Sequence, residues 1–561
     1  MSIKKIAGIE TELRLDCIGL EEGKTTNERQ ELEDYTLPWK VVENAMICSG
    51  GGGGSFVSPL SRRRLKGLDG IVERLKILHP SSEKAIEEHL EIGKKKKDNT
   101  IEPEEGRRQY SYQRFGFSGG YTFSGFRIYV DGTHPEISTP ECASPQDLVC
   151  WQKAGERIIE SGKRKTEEET GYRIVLSNDN SDGFGESWGS HENYLVSNEL
   201  FETLTEGGHH YGNFSKTFNF FQDFWIFFLA TRFVFCGSGK MGSEVSQDFK
   251  HQYQFLISQR AEFITSTLSH RTMEHRPFIN LRDIPYVDGR FGRRLHVIIG
   301  DSNMCEPAIY LKTGAAMIML MMLEDKFISK DSFPILKKPL NALQIIMADL
   351  ECRKLLDVYV GGRLKRMTAV EVQKLFCELA AKWFEERYKN ENKPVSWIPE
   401  VLSMLNRILV GLEENPMDLF GTIDWVTKYG LCCSELGRRN TDWSDPIFPI
   451  ALRKSNLFRL LIGVCGAYHR LDDLGIYNKL KNAEVVERIV QDADIERACL
   501  EPPQDTRAHE RGKFIRHFGD SVDCANWSFV HLNRNPYKII LNSPYAASLN
   551  FKQGGDNEAD N

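Results

Sequence analysis

Residues 126–141 constrain the fold of this chain more strongly than any other segment. Their first part, FRIYVD, alternates polar and apolar side chains with the period of two that defines a β-strand. Arg127, Tyr129 and Asp131 therefore share one face of that strand. An arginine, a phenol and a carboxylate are costly to bury together unless they contact a ligand, so the segment predicts a binding site on a sheet. The alternative is a strand whose polar face simply meets solvent.

Acidic side chains on neighbouring segments favour a cation at the same site. Glu10 and Glu12, in the N-terminal run GIETE, share one face of a second predicted strand. Glu136 and Glu141 follow the turn after the first strand. Carboxylates that lie side by side repel one another unless a cation separates them, and hard oxygen ligands suit Mg²⁺. For the GIETE pair, a solvated sheet edge is the alternative.

Other candidate site residues lie further along the chain. His191 follows a glycine-rich loop in the run GSHENYL, and Arg260 and Arg294 belong to the runs SQRAE and RRLHVIIGDSNMCE. An arginine can hold a phosphate or a carboxylate with two parallel donors, although a surface ion pair is its ordinary role. Trp527 either covers a nucleotide base or belongs to the core. The run CGSGK lacks the spacing of a phosphate-binding loop, so we interpret it as a substrate-side loop or a tight turn.

Strand and helix patterns predict an α+β fold with a mainly antiparallel sheet. Further strand signals occur at residues 3–15, 173–177 and 295–300. Helical periodicity is found at residues 147–168, 306–325, 340–358 and 368–390. The strands do not alternate regularly with these helices, which argues against a parallel βαβ sheet.

The chain divides into a large and a small predicted domain, because 561 residues are too many for one compact core. Residues 1–470 are expected to form the catalytic domain. Residues 48–119, polar and basic with a run of glycines, are expected to form a mobile insertion within it. Residues 471–561 are expected to form a small C-terminal domain with a disordered tail.

Composition and charge exclude several classes of protein. A net charge of −7 does not favour nucleic-acid or anionic-membrane binding. The 13 cysteines lack metal-type spacing, and the N-terminus lacks the apolar region of a secretion signal, so a cytoplasmic protein is expected. Two apolar stretches, residues 218–236 and 315–323, are interpreted as buried core, because a membrane span needs about 20 apolar residues.

Six motifs, taken in order, resemble the Pup ligase and Pup deamidase/depupylase family. They are GIETE, the YVD, HPE and PEC run, GSHENYL, SQRAE, RRLHVIIGDSNMCE and PPxDTRAxxRG. The resemblance extends from Gly8 to about Trp527, apart from the insertion. It implies a glutamine-synthetase-like fold, with a curved, mainly antiparallel sheet backed by helices. It also implies ATP and Mg²⁺ as cofactors.

The resemblance assigns roles to individual residues. The implied Mg²⁺ ligands are Glu10, Tyr129 and Glu136, which Glu12 supports. The implied ATP contacts are Arg127, Thr139 and Trp527. The implied supporting or substrate-side residues are His191, Arg260 and Arg294. Asp131 matches the essential aspartate.

Two activities of the family fit this sequence. A hydrolase would deamidate the C-terminal glutamine of a Pup-like protein tag or remove the tag from substrate lysines, with Asp131 as nucleophile or water-activating base. A ligase would phosphorylate the tag's C-terminal glutamate and join it to substrate lysines, with Asp131 as base toward the lysine. The partners implied are the tag and tagged proteins, and the family context allows a link to a bacterial proteasome.

Several features separate the two activities. The long insertion, the short spacing from Asp131 to Glu136, and GSHENYL favour the hydrolase. GIETE, CGSGK and GDSNMCE favour the ligase, and on balance we expect the hydrolase. Two departures from the family pattern, at residues 178–180 and 279–286, leave the shape of the tag-binding side open. The other hypotheses are a small-molecule ligase that makes γ-glutamyl bonds and a non-catalytic binder of the tag or proteasome.

Overall fold

The computed structural model describes most of the chain, in several ranges. These are residues 2–18, 37–49, 119–183, 185–205, 219–246, 253–284, 286–328, 334–336, 338–360, 362–389, 395–439, 456–518, 522–532 and 538–545. The interior of the proposed insertion and the C-terminal tail lie outside the described residues. The boundary near residue 471 stays a prediction.

An eight-stranded sheet forms the centre of the protein. Its strands, in spatial order, are β10 (Ser266–Ser269), β11 (Pro277–Asn280), β12 (Arg293–Val297), β7 (Ser190–Val196), β1 (Ala7–Glu12), β5 (His134–Ser138), β4 (Arg127–Asp131) and β3 (Gly119–Tyr121). Neighbouring strands are antiparallel except β10 and β11, which are parallel. The predicted α+β class with a mainly antiparallel sheet is therefore confirmed.

Smaller strand groups lie around this sheet. They are β2 (Arg14–Ile18) with β6 (Arg173–Ser177), β8 (Lys240–Met241) with β9 (Phe255–Leu256), β13 (Ile335–Leu336) with β14 (Leu356–Val360) and β15 (Arg363–Met367), and β16 (Val522–Asn526) with β17 (Phe529–Leu532) and β18 (Lys538–Ile540). The last group belongs to the C-terminal part of the chain, and its β16 packs beside β3 at one edge of the large sheet.

The α-helices surround the sheet and fill the rest of the core. They are α1 (Leu37–Cys48), α2 (Pro145–Thr170), α3 (Asn198–Thr205), α4 (Phe220–Thr231), α5 (Phe233–Cys236), α6 (Thr272–His275), α7 (Glu306–Glu324), α8 (Pro339–Met347), α9 (Ala369–Tyr388), α10 (Trp397–Glu414), α11 (Asp424–Gly437), α12 (Leu457–Tyr468), α13 (Ile476–Asn482), α14 (Asp492–Leu500) and α15 (Ala508–Phe518). Short 3₁₀ turns occur at Ala261–Phe263 and Pro416–Leu419.

The large sheet has one apolar and one polar face, because side chains alternate along each strand. Ile9, Ile128, Val130 and Ile137 are buried on the apolar face, which packs against α1 and α2. The two helices approach each other closely at Gly162, where an added Cβ would lie 2.4 Å from the backbone nitrogen of Ala45. The helices thus leave the opposite, polar face open for a ligand.

Helix α7 is the central apolar helix of the core. With 19 residues, this helix is long and apolar enough to cross a membrane, and residues 306–323 are all buried inside the protein. It contains the stretch 315–323, and helices α4 and α5 contain the aromatic stretch that ends at Cys236. Both stretches, so far as they are described, are core segments as expected.

The helix predicted over residues 340–358 is wrong in its second half. Helix α8 ends at Met347, and the chain then turns and forms strand β14 from Leu356. The Asp349 carboxylate accepts hydrogen bonds from the backbone amides of Arg353 and Lys354, which stabilises the turn. This local side-chain bonding competes with the helix, an effect that helical periodicity does not register.

Thr368 should stabilise helix α9 through a capping box. Its hydroxyl accepts from the backbone N–H of Glu371 at 3.1 Å, and the Glu371 carboxylate accepts from the backbone N–H of Thr368 at 2.7 Å. We expect Thr368→Ala to lower the free energy of unfolding by about 1 kcal/mol in urea titrations. The control is Thr203→Ala, at a partly exposed helical threonine whose hydroxyl donates to the Glu199 carbonyl oxygen within its own helix. An equal loss in both variants would contradict the capping role.

Candidate active site

Strand register places the predicted site residues in two adjacent rows on the polar face. The first row joins Tyr129 of β4, Glu136 of β5 and Glu12 of β1. The second row joins Arg127, Ser138, Glu10 and His191 on strands β4, β5, β1 and β7. Directly opposed residues in antiparallel strands point to the same face, so these side chains are gathered over the centre of the sheet.

Two carboxylates of the first row form an acidic group with Asp131, which lies at the end of β4. One ligand oxygen each from Glu12, Asp131 and Glu136 lies within 4.8 Å of the others. The Tyr129 hydroxyl donates a hydrogen bond to Glu136. Burial, together with the charges of Glu12, Glu10 and Asp131, raises the pKa of Glu136 well above its ordinary value. A divalent cation among these oxygens would relieve that repulsion, so the group fits Mg²⁺.

Asp131 is the most exposed of the three acids. It ends strand β4 and pairs with His134 across a tight turn. The His134 ring stacks on Trp188 with centroids 4.8 Å apart, and its Nδ1 lies 3.1 Å from the carbonyl oxygen of Leu13. Partial burial and the Glu12 charge raise the pKa of Asp131, which favours its action as a base.

Glu10 lies in a second group with two histidines. His191 Nδ1, His296 Nε2 and Arg294 Nη1 are each 3.5 Å from a Glu10 oxygen. Burial acts to raise the pKa of Glu10, but the nearby His191, His296 and Arg294 outweigh it and lower that pKa well below its ordinary value. The structure therefore places the predicted metal ligand Glu10 beside His191 and Arg294, and it groups Glu12 with Glu136.

A cleft that is partly open to solvent is lined by Ser138 and Glu10 of the second row. Its walls include Glu10, Thr139, Arg294 and Trp527, four residues that the sequence marked, and also Tyr286. The Thr139 hydroxyl accepts a hydrogen bond from the backbone N–H of Ile9 at 3.0 Å. The cleft thus has charged side chains on the sheet and aromatic rings at one side, which suits a nucleotide.

Arg127 is half-buried beside this cleft. Its guanidinium carbon lies 4.1 Å from the centre of the Tyr129 ring. Although burial opposes it, the surrounding phenols and Glu136 raise the pKa of Arg127, so the side chain stays a cation. The predicted contact of Arg127 to an anionic group of the ligand stays a prediction.

Tyr286 forms part of the cleft wall, a role that sequence reasoning missed. Its backbone has φ of 49°, which is rare for a bulky residue, and Arg507 Nη2 donates to its carbonyl oxygen at 2.7 Å. Its ring lies 4.9 Å from the Arg294 guanidinium. The departure from the family pattern at residues 279–286 therefore affects the cleft itself.

Glu141, considered above as a metal ligand, is engaged by two arginines instead. Its carboxylate accepts from Arg507 Nε at 2.7 Å and from Arg511 Nη2 at 2.6 Å. Burial acts to raise the pKa of Glu141, but Arg511 and Arg507 lower it to about 2. Arg511 also donates to the carbonyl oxygen of Trp527 at 3.0 Å. Glu141, Arg507 and Arg511, which we call the Glu141 triad, join the segment after β5 to the C-terminal part of the chain.

Arg260 is buried and bonds to backbone carbonyls. Its Nη1 donates to the carbonyl oxygens of Ile298 at 2.5 Å and Gly300 at 3.3 Å. Burial lowers its pKa to about 10, while the charge of Glu12 acts in the opposite direction. The supporting or substrate-side role of Arg260 stays a prediction.

The CGSGK run forms a structural turn into strand β8. The backbone N–H of Ser238 donates to the Asp301 carboxylate at 2.9 Å. Lys240 forms ion pairs with Glu262 and Glu244. Because Lys240 is buried with these acids, the tight-turn interpretation describes the run better than the substrate-side loop.

Comparison with solved structures first defines the class of protein. The crystal structure of the ligase PafA in complex with Pup matches with a TM-score of 0.69 at 24% identity, covering 97% of this chain and 90% of that chain. The structure of the Pup ligase PafA in complex with ADP matches with a TM-score of 0.64 at 28% identity, covering 80% and 92%. The expected glutamine-synthetase-like fold is thereby confirmed.

Sequence comparison then identifies the family. The model of the Pup-ligase protein family matches residues 5–531, so the chain belongs to this family. A depupylase of Acidothermus cellulolyticus is 36% identical over 75% of this chain and 76% of its own length. A Pup deamidase/depupylase of Mycolicibacterium smegmatis is 32% identical over 72% and 74%, and a Pup–protein ligase of Acidimicrobium ferrooxidans is 35% identical over 76% and 86%. The family resemblance found in the sequence is confirmed, and it includes enzymes of both kinds.

Proposed function

We propose that this protein is a cytoplasmic, ATP- and Mg²⁺-dependent amidase and isopeptidase that acts on a Pup-like protein tag. The observation that carries the proposal is the position of Asp131. Its carboxylate is partly exposed, has a raised pKa and lies within 4.8 Å of two acids that fit a cation. The depupylase and deamidase relatives, at 36% and 32% identity, support the same chemistry.

The residues of the polar face would have the following binding roles. Arg127, Thr139 and Trp527 would hold ATP, and a relative of the same fold binds ADP. Glu10, Tyr129 and Glu136 would hold Mg²⁺, and Glu12, 4.8 Å or less from Glu136 and Asp131, would support them or replace Glu10. The bound ion would neutralise phosphate charge near Asp131.

Asp131 would act on the amide carbonyl at the end of the tag. As a base, it takes a proton from water while the water oxygen bonds to the carbonyl carbon. The carbon–nitrogen bond then breaks, and the proton passes to the departing ammonia or lysine amine. As a nucleophile, Asp131 would attack the same carbon directly, and the carbon–nitrogen bond would break as the departing nitrogen takes a proton from water. Water would then hydrolyse the resulting anhydride, which releases the tag and restores the Asp131 carboxylate. In both cases ATP stays intact as part of the site.

The Pup-like ligase is the second candidate, because the Acidimicrobium relative covers 86% of its own length at 35% identity. In that reaction the tag's terminal glutamate would become an acyl phosphate, and Asp131 would take a proton from the attacking lysine. Both reactions use the same aspartate, and they differ in whether ATP is consumed.

One assay separates these functions. The protein is incubated with ATP, Mg²⁺ and either a glutamine-ended tag, a tagged substrate or a glutamate-ended tag with free substrate, and masses and phosphate are measured. We expect deamidated tag and released substrate, with no phosphate released in proportion to product. New conjugates with one phosphate per bond would establish the ligase instead. Tag binding without any product would support a non-catalytic binder, and consumption of a small amino acid would support a γ-glutamyl ligase.

A further inference from the structure

A buried hydroxyl on the floor of the cleft has no assigned role. Ser138 lies on strand β5, directly between Arg127 of β4 and Glu10 of β1. It lines the cleft and is only 2% exposed. Its Oγ nevertheless makes no hydrogen bond within the described part of the chain. A buried hydroxyl without a partner costs about 1–3 kcal/mol, so a group outside the chain is expected to satisfy it.

The neighbours of Ser138 indicate the chemistry of that group. A hydroxyl can donate to an anion, and the Arg127 guanidinium on one side attracts the same anion. Glu10 on the other side is acidic, so an anion there requires a cation near the carboxylates, and the acidic group of Glu12, Asp131 and Glu136 would hold one. The aromatic wall with Trp527 and Tyr286 lies along the same cleft. An anion joined to a planar ring system is the combination that a nucleotide presents.

We propose that Ser138 is a phosphate-binding residue whose hydroxyl donates a hydrogen bond to a phosphate oxygen of the bound nucleotide. The inference rests on the proposed function, because it takes the cleft to be the nucleotide site. The proposed contact lies on the floor of the cleft, between Arg127 and Glu10, and is additional to the ATP contacts named above.

Ser138→Ala tests the proposal through two effects of opposite sign. Without nucleotide, the variant should be as stable as the wild type or slightly more stable, because it loses a buried hydroxyl that has no partner. With Mg²⁺ and ATP or ADP, it should bind about 10- to 100-fold more weakly in calorimetry, the range expected for a hydrogen bond to a charged group. Adenosine, which has no phosphate, should bind both proteins equally.

Ser177→Ala is the matched control. Ser177 is also fully buried on a strand with an unpaired Oγ in the described structure, but it does not line the cleft. Its substitution should leave nucleotide affinity unchanged. Equal affinity of wild type and Ser138→Ala for ATP would overturn the proposal, and so would an equal loss for adenosine. If the wild type itself fails to bind Mg²⁺-ATP, the proposed function fails, an outcome distinct from failure of the Ser138 contact alone.

Discussion

Asp131→Asn should abolish both deamidation and tag removal while Mg²⁺-ATP still binds with nearly wild-type affinity. The amide keeps the size of the carboxylate but cannot accept the proton or attack the carbonyl. General acid–base catalysis contributes about 100- to 10,000-fold, so kcat should fall by at least about 100-fold. Nucleotide affinity should change little, because Asp131 is at the exposed end of β4 and does not line the cleft. Single-turnover kinetics and calorimetry measure the two quantities.

Asp357→Asn is the control for this substitution. Asp357 is also a strand aspartate, but it lies in β14 and forms an exposed ion pair with Arg366. It should retain full activity. Unchanged turnover in Asp131→Asn would show that the catalytic assignment is wrong. A parallel loss of nucleotide binding would show instead that Asp131 holds the cofactor.

Glu141→Gln should destabilise the protein by about 3–5 kcal/mol at neutral pH. Arg511 is fully buried and Arg507 is 4% exposed, so removal of the carboxylate charge leaves two cations without compensation inside the protein. Urea unfolding, followed by tryptophan fluorescence, measures the loss. Because Arg511 also holds the Trp527 carbonyl, affinity for the nucleotide should fall in the same variant.

Glu435→Gln is the matched control, with the same substitution at the protein surface. Glu435 also pairs with two arginines, Arg438 and Arg439, whose side chains are 75% and 53% exposed. Its substitution should cost less than about 1 kcal/mol. Equal losses in the two variants would contradict the explanation from burial.

The contribution of Glu141 should also depend on pH with a defined sign. Its pKa is about 2 in the folded protein and about 4.3 in an unfolded chain, so the unfolded chain binds more protons between these values. The stabilisation is fully present above pH of about 4.3 and is lost as pH falls toward 2. The difference between wild type and Glu141→Gln should therefore become smaller in acid.

Local sequence patterns predicted the parts of the site that depend on strand periodicity. The period of two placed Arg127, Tyr129 and Asp131 on one face, and the short turn after Asp131 brings Glu136 opposite Tyr129. Both relations depend on neighbours in the chain. Helix α2 was predicted for the same reason, within two residues at each end.

Relations between distant segments could not be predicted from periodicity. Glu10 meets His296 only because β7 lies between β1 and β12, and strand order is a property of the whole fold. An acid such as Glu141 has the same local pattern whether it binds a cation or an arginine. The choice depends on which side chain the fold brings within reach, here one that is 370 residues away.

The Glu141 triad also limits when the protein can finish folding during synthesis. Glu141 leaves the ribosome 370 residues before Arg511. Domains generally fold as they appear, yet this contact cannot form until Arg507 and Arg511 have been synthesised. A nascent chain that ends near residue 500 would therefore have Glu141 without either of its arginine partners. Its cleft would also lack Trp527. Such an intermediate should be inactive and a preferred target of chaperones until both arginines have been synthesised.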